Sequence, residues 1–357
     1  MEKFDFNFDE KQKKIIDALH RLNLIQKLEN FILIEREKSE RKDYVSGYPY
    51  WLTIDPANFC NLKCPFCPTG QSRNSRTKSM FTLDSFKKII DELGPYLIHI
   101  DFCNWGEPLL NKQIYEMIKY AEQYHVDSKI DTNFNQVSEE EAEQIVLSGL
   151  DKLIVSLDGI TEETYAKYRV GGDFSKVMNN LKTLLRKKRE LKRNNPYITW
   201  QFLVFRHNEH EVEEARRIGK DLGVDHVGIT KAFIGNKDWI PVNEEYSNYK
   251  KEENKGEITS DYFKTPQETK CNWTWEAVVI NPNGSVSPCC SVEEEKDDFG
   301  NIFEKPFREI WNNNKYRQAR RFIRDKVMPS DENNNICIGC RHSGMINLDI
   351  LSCHSLF

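Results

Sequence analysis

The chain has 357 residues, 39% hydrophobic and 30% charged, with a formal net charge of −5. That is the composition of a globular protein with room for one large domain and a smaller one, and its acidic balance argues against nucleic acid as a partner. The longest apolar runs, such as Phe31-Ile32-Leu33-Ile34, fall far short of the ~20 residues that span a bilayer, and the opening MEKFDFNFDEK lacks a signal-peptide core, so a cytoplasmic protein away from membranes is expected.

Residues 9 to 40 carry apolar side chains every three or four positions (Ile15, Leu19, Leu22, then Ile25, Leu28, Ile32). This spacing predicts one or two helices, with Asp9 as N-cap. From Trp51 short apolar runs alternate with amphipathic stretches. Strands are predicted at 51–54, 97–102, 127–131, 153–157, 198–205 and 226–230, and helices at 82–94, 111–124, 138–148, 174–192 and 209–222. Thr82 caps a helix whose stripe is Phe86, Ile89, Ile90 and Leu93, and Ser138 with Glu141 forms a capping box. Strands separated by helices need crossover connections, and hence a parallel sheet. The pattern predicts an α/β fold, a TIM-like barrel closed or partly closed, with its chemistry at the carboxyl ends of the strands.

The basic run from Lys182 to Arg193 spreads around a helix and reads as a solvated outer face. Residues 236–268 break the pattern and read as a linker or lid. Beyond them, the alternation over 275–286 with Pro282-Asn283-Gly284 predicts a hairpin, followed by a turn at 299–302 and a helix at 307–311. The expected division is a helical segment 1–48, a barrel 49–235, the linker or lid 236–268 and a small α+β region 269–357.

Ten cysteines in a reducing compartment read as metal ligands. Three of them share one loop, Cys60-Asn61-Leu62-Lys63-Cys64-Pro65-Phe66-Cys67. Thiolates so crowded repel each other unless a cation holds them, and iron and zinc are the usual ones. A zinc site wants four ligands, whereas on a cubane cluster three cysteines leave one iron open to a small molecule. His99, His125 or a carboxylate remain candidate fourth ligands.

CNLKCPFC resembles the signature of the radical SAM superfamily. The resemblance implies a partial (β/α)6 barrel and a 4Fe–4S cluster on Cys60, Cys64 and Cys67, with the amino and carboxylate groups of S-adenosylmethionine (SAM) on the fourth iron. One electron then cleaves the C–S bond, and the resulting 5′-deoxyadenosyl radical takes hydrogen from an unactivated carbon. Phe66 falls where the family keeps an aromatic residue, with an implied role in shielding the cluster from water. Asn104-Trp105-Gly106-Glu107-Pro108 is similar to the family's GGEP motif, which implies that Gly106 and Glu107 meet the SAM ammonium; Trp105 replaces the first glycine. Thr132-Asn133 matches the start of a TNG motif, with Phe134 in place of its glycine. Ser156 and Asp158 end the fourth strand, where polar groups reach the ribose or methionine, and Gln201 and Asn208 lie on and after the fifth. Arg169 sits where relatives keep an arginine, which implies a forked contact with the SAM carboxylate.

Cys271 and Cys289 flank the predicted hairpin, which brings them together, and Cys337-Ile338-Gly339-Cys340 is a CxxC pair. These four suffice for one closed centre, of iron–sulfur or of zinc. The region resembles the SPASM/twitch extension of radical SAM enzymes in its Cys271–Gly284–Cys289 spacing and in Gly300-Asn301-Ile302 and Glu309-Ile310-Trp311. The resemblance implies an auxiliary 4Fe–4S cluster. A single one, the twitch arrangement, is expected, because later cysteines of the full SPASM pattern are absent and only Cys353 lies beyond. Cys290 can substitute for Cys289, since adjacent strand residues face opposite ways. Cys103, at the end of the second strand, is either a small buried apolar residue or a hydrogen-atom donor to a substrate radical.

The activity implied is that of a radical SAM oxidoreductase served by a flavodoxin- or ferredoxin-type donor. The expected substrate is a small polar molecule, sugar- or aminocyclitol-like, oxidised with the help of the auxiliary cluster. About fifty N-terminal residues of helical pattern are too few for the winged-helix leader-binding domain of relatives that modify ribosomal peptides. Peptide maturation is therefore the alternative, with epimerisation through Cys103 and a non-enzymatic zinc or iron–sulfur binding protein as further ones.

Overall fold

The computed structural model describes residues 8–234, 236–251, 258–260, 271–325, 335–338 and 340. Two helices lead, α1 (Glu10–Arg21) and α2 (Ile25–Ser39). The alternating region follows as β1 (Trp51–Ile54), α3 (Leu83–Leu93), β2 (His99–Asp101), α4 (Ile114–Glu122), β3 (Asp127–Thr132) and α5 (Glu139–Leu147). It continues with β4 (Lys152–Ser156), α6 (Glu162–Tyr168), α7 (Phe174–Glu190), β5 (Tyr197–Val204), α8 (Val212–Leu222) and β6 (His226–Lys231). The strands β1 to β6 pair in chain order and in parallel, while β1 and β6 do not pair with each other, so the barrel is partial.

The caps at Asp9, Thr82 and Ser138 form as the sequence predicts. Three regions differ from expectation. Helix α6, capped by Thr161, is only 7 residues long and carries no long apolar period. Helix Asn314–Asp325 hides its buried stripe of Tyr316, Ala319 and Ile323 among basic residues. Within 236–268, β7 (Tyr249–Lys251) pairs antiparallel with β8 (Ile258–Ser260), and Trp239 sits in a short turn of helix; residues 252–257 and 261–268 lie outside the described ones.

Strand alternation sorts the side chains into two environments. Ile100, Ile130, Leu153, Val155, Ile198, Trp200 and Phe202 are fully buried against the helices in the main core. The other parity faces the barrel interior and is mostly polar: His99 and Asp101 on β2, Asp127, Lys129 and Asp131 on β3, Lys152 and Ser156 on β4, Thr199 and Gln201 on β5, with Ile154 and Leu203 as apolar members.

The C-terminal hairpin is part of the same sheet. β9 (Ala277–Ile280) runs parallel to β1, Trp51 opposite Ala277, and continues through β10 (Ser285–Ser287) to β11 (Gly300–Asn301). The turn between β9 and β10 holds Gly284 at φ 82°, where a Cβ would also meet the Phe303 ring at 2.3 Å. Helices α1 and α2 cover the seam, with Ile15, Leu19, Phe31 and Ile34 packed on Tyr50, Trp51, Trp273 and Val279. Lys38 bridges Glu35 (2.5 Å) and Glu276 (2.6 Å), tying α2 to the hairpin.

A second tie joins the first cysteine loop to the hairpin. Arg76 forks onto Asp298, Nη1 to Oδ2 at 2.7 Å and Nη2 to Oδ1 at 2.8 Å, and also donates to Ser287 Oγ at 3.2 Å. Both side chains are buried, 7% and 6% exposed. Removing one partner leaves the other charge buried and unpaired, which costs about 3–5 kcal/mol. Arg76→Met is expected to lower stability in chemical denaturation by about that amount, and Arg76→Met with Asp298→Leu to recover more than half of it.

Candidate active site

The site is built where β1, β2, β3 and β4 end. Asp55, one residue past β1, is fully desolvated and accepts three backbone N–H groups of the loop after β2: Asn104 (2.7 Å), Trp105 (3.0 Å) and Gly106 (3.1 Å). Burial still leaves its carboxyl above the usual range. The grip pulls the two loops into backbone contact. A Cβ at Gly106 would lie 1.7 Å from the Ala57 carbonyl oxygen, so this glycine is required by space. Glu107 follows, buried, with its N–H donating to the Phe59 carbonyl at 2.9 Å.

The Glu107 carboxylate accepts from Thr132 Oγ1 (2.6 Å), Asn133 N (2.8 Å) and Leu109 N (3.1 Å). Its acceptor sites are thus largely taken by the protein, and it locks the β2 loop to the end of β3. Asn133 donates from Nδ2 to Asn61 Oδ1 (2.9 Å) and lies 3.6 Å from Cys60 Sγ, so the third strand touches the cysteine loop directly. Arg169 donates Nε to Asp158 Oδ2 at 2.6 Å and brings Nη1 to 4.0 Å from Cys64 Sγ. Asp158 is fully buried and also accepts Leu203 N (2.7 Å). Arg169 is therefore paired inside the protein, one edge against the cysteine loop. Ser156 and Gln201 face each other at 3.4 Å, one layer below. Asn208 clamps backbone, donating to the Asp158 and Leu203 carbonyls at 3.1 and 3.0 Å.

Phe66 packs among Tyr168, Phe205 and Trp239, the last edge-on at 5.2 Å. Trp239 comes from the stretch read as a linker or lid, and it covers the cysteine loop from outside the barrel strands. Cys103 is half-buried near Gly106. Burial, then Asp131, Asp55 and Glu107, push its thiol well above the ordinary range, so it keeps its S–H.

The cysteines gather in two places. Burial, and after it Glu107, Cys64 and Cys67, push Cys60 up to about 12; Cys64 is likewise raised by burial, against the nearby Arg169. In the C-terminal region Cys337 is raised well above its ordinary value by burial and then by Cys289, Cys271 and Cys340, which places these four in one neighbourhood. Cys290 packs with Cys271 and Cys289 on the cluster under the N-terminal helices, and burial, with Asp101 of the barrel interior, pushes its thiol up to about 11. Cys353 lies outside the described residues. No three such side chains stand in preformed metal-coordinating geometry among the described residues. The donor sets nonetheless suit a soft cation. Burial and mutual repulsion disfavour the thiolates, and a bound metal reverses that cost by taking the cysteines as its anionic ligands. Cys60, Cys64 and Cys67 would hold one centre and Cys271, Cys289, Cys337 and Cys340 the other.

Both ring nitrogens of His99 are engaged, Nδ1 with Asp127 at 2.7 Å and Nε2 with Asp101 at 3.1 Å, which removes it as a candidate ligand. It belongs to a buried network that the sequence reading missed. Asp101 also accepts from Trp51 Nε1 (2.8 Å) and pairs with Lys129 (2.9 Å), which reaches Asp131 at 3.1 Å. Period-two polar residues on β2 and β3 were the available signal, but alternation alone does not say whether the polar face meets solvent or a barrel interior.

Two family models match. The radical SAM superfamily covers residues 54–218, and an iron–sulfur cluster-binding domain, SPASM, covers 271–341. The chain belongs to the radical SAM superfamily and carries a C-terminal SPASM iron–sulfur domain. The cofactors of this pair of modules are 4Fe–4S clusters and SAM. Among curated relatives, the PqqA peptide cyclase of Gluconobacter oxydans is 24% identical over 289 residues, 74% of this chain and 76% of that protein. The AdoMet-dependent heme synthase of Methanosarcina barkeri is 25% identical over 321 residues, 79% of this chain and 88% of that protein. Among solved structures, Streptococcus suis SuiB bound to SAM superposes with a TM-score of 0.60 at 15% identity, over 87% of this chain and 78% of SuiB. No described helix is long and apolar enough to cross a membrane.

Two outcomes follow from the geometry. Gly106→Ala forces the β2 loop off the Ala57 carbonyl and is expected to abolish SAM binding by the reconstituted protein, measured by equilibrium dialysis. Burial disfavours a charged His99, but Asp101 and Asp127 outweigh it and hold its pKa up at about 9, against 6.5 unfolded. The folded state then binds the extra proton between these values, so this contribution is complete below about 6.5 and lost as pH rises through about 9. The melting temperature is expected to fall over that window, and the fall to flatten in His99→Gln.

Proposed function

We propose that the chain is a radical SAM peptide-modifying enzyme, with the SPASM centre serving the second half of the reaction. The observation that carries this is the match to the PqqA peptide cyclase, which spans about three quarters of each protein. SuiB, whose fold this chain shares, is also known bound to its precursor peptide SuiA. The small polar substrate expected from the sequence has no comparable support among these relatives.

When bound, the first cluster and SAM supply a 5′-deoxyadenosyl radical that takes a hydrogen atom from a substrate carbon. The chain's residues position and insulate that event. Asp55 and Glu107 fix the loops around the first cysteine cluster through backbone donors rather than flexible side chains. Arg169, held by Asp158, puts a permanent positive charge beside Cys64. Phe66, Tyr168, Phe205 and Trp239 keep water from the outer side. The four C-terminal cysteines suit a fully ligated centre, which can pass electrons but has no open iron for SAM. The barrel itself is open on one side, since residues along β6 are exposed or half-exposed, which leaves an entry for an extended chain.

Epimerisation through Cys103 is the second reading, favoured by the place of this half-buried thiol beside Gly106 at the end of β2. Co-expression with short open reading frames flanking its gene, followed by mass spectrometry, separates the readings. Oxidative modification removes two hydrogens from a peptide, whereas epimerisation in D2O adds one deuterium without other mass change. Unaltered flanking peptides alongside oxidation of a small polar metabolite would contradict the proposal. Cys64→Ala is expected to abolish 5′-deoxyadenosine release, and Cys340→Ala to lower the product formed per 5′-deoxyadenosine.

A further inference from the structure

The polar interior of the barrel is built to hold something between the two cysteine groups. Its residues form layers fixed by strand register. Asp101 on β2 lies opposite Lys129 on β3, and one layer nearer the SAM end Asp131 lies opposite Ile154 on β4, itself opposite Thr199 on β5. Ser156 and Gln201 form the next layer. Above them Asn133 reaches the first cysteine loop directly and Asp158 through Arg169. From the other side, Cys290 of the SPASM region is in electrostatic contact with Asp101 and Lys129.

Exposure shows that part of this interior is reached by solvent. Along β4 and β5 the outward residues Leu153, Val155, Ile198, Trp200 and Phe202 are completely buried, while the inward Ile154, Gln201 and Leu203 are only half-buried. Asp131 is 30% exposed, against 10% for Lys129 and Asp101.

Two groups in this layer have unused hydrogen-bonding capacity. Asp101 is saturated by His99, Trp51 and Lys129. Asp131 binds Lys129 through Oδ2, and its Oδ1 has no partner among the described residues. Thr199 is 6% exposed, and its Oγ1 is buried without any partner. It shares strand parity with Gln201, so it points inward, two strands across from Asp131. A buried hydroxyl without a partner is costly and is normally explained by a ligand or water.

We propose that Asp131 and Thr199 form a subsite for a nitrogen hydrogen-bond donor of the substrate: an ammonium, guanidinium or amide N–H group. Asp131 Oδ1 accepts the N–H, and the Thr199 hydroxyl makes the second contact. The neighbouring Lys129, held by two aspartates, offers no free positive charge to recruit an acid. A carboxylate ligand would meet Asp131 directly and is disfavoured there, with Lys152 on β4 a further cation in the field of Asp131. The inference takes from the proposed function only that the substrate enters this barrel.

The test uses the anaerobically reconstituted holoenzyme and three probes, n-butylammonium, N-methylacetamide and butyrate, with binding read by saturation-transfer NMR titration. The two nitrogen donors are expected to bind and butyrate not. Asp131→Ala is expected to weaken the nitrogen probes by about tenfold, as for loss of a charged hydrogen-bond acceptor, and the near-isosteric Thr199→Val by about fivefold. If Asp131→Ala does not fold, Thr199→Val alone decides. Unchanged probe affinity in Thr199→Val and in folded Asp131→Ala, or butyrate binding more tightly than butylammonium, overturns the subsite. Failure of the wild type to modify any peptide, with probe binding intact and lost in the variants, overturns the peptide reading and supports the subsite.

Discussion

The structure depends on the parallel pairing of β1 with β9. β1 leads directly into Asp55 and the first cysteine loop, and β9 opens the hairpin that ends at Cys289. Backbone hydrogen bonds between neighbouring strands leave little freedom for one loop to move without the other. The N-terminal helices seal this seam through Phe31, Ile34 and the Lys38 bridge to Glu276, and Arg76 ties the far side through Asp298. The helical segment is thereby a clamp on the junction between barrel and SPASM region. Without it, Trp51 and Trp273 would present an apolar surface at the seam.

The second constraint is electrostatic. A barrel filled with Asp101, Asp127, Asp131, Lys129 and His99 pays heavily in desolvation unless each charge meets a partner. The register supplies those partners, with His99 opposite Asp127 and Asp101 opposite Lys129. An apolar filling would be more stable but would leave nothing to orient a polar substrate. The network reads as stability given up for a shaped polar interior. At the rim the pattern inverts: buried carboxylates grip backbone N–H groups, which makes the loop positions insensitive to side-chain motion.

Much of this was legible in the sequence. The C-x3-C-x2-C spacing, the capping residues and the alternation of apolar runs specify their own local consequences, and local rules suffice to read them. What stayed hidden depends on partners distant in sequence. Arg76 meets Asp298 across 222 positions, and β9 finds β1 although it follows a stretch with no regular pattern. Glu107 and Arg169, expected on the SAM ammonium and carboxylate, are held by Thr132, Asn133 and Asp158 within the protein. Motif matching finds such residues but does not reveal which of their hydrogen bonds the protein already uses.

The central claim is that one continuous sheet presents two iron–sulfur centres of different openness, the first with room for SAM and the second closed. Electron paramagnetic resonance of the dithionite-reduced holoenzyme, recorded with and without SAM, tests it most directly. The account predicts two reduced-cluster signals, of which SAM perturbs one and leaves the other unchanged, with the unchanged signal missing in Cys271→Ala. A single signal in the wild type, or two signals both indifferent to SAM, would contradict it.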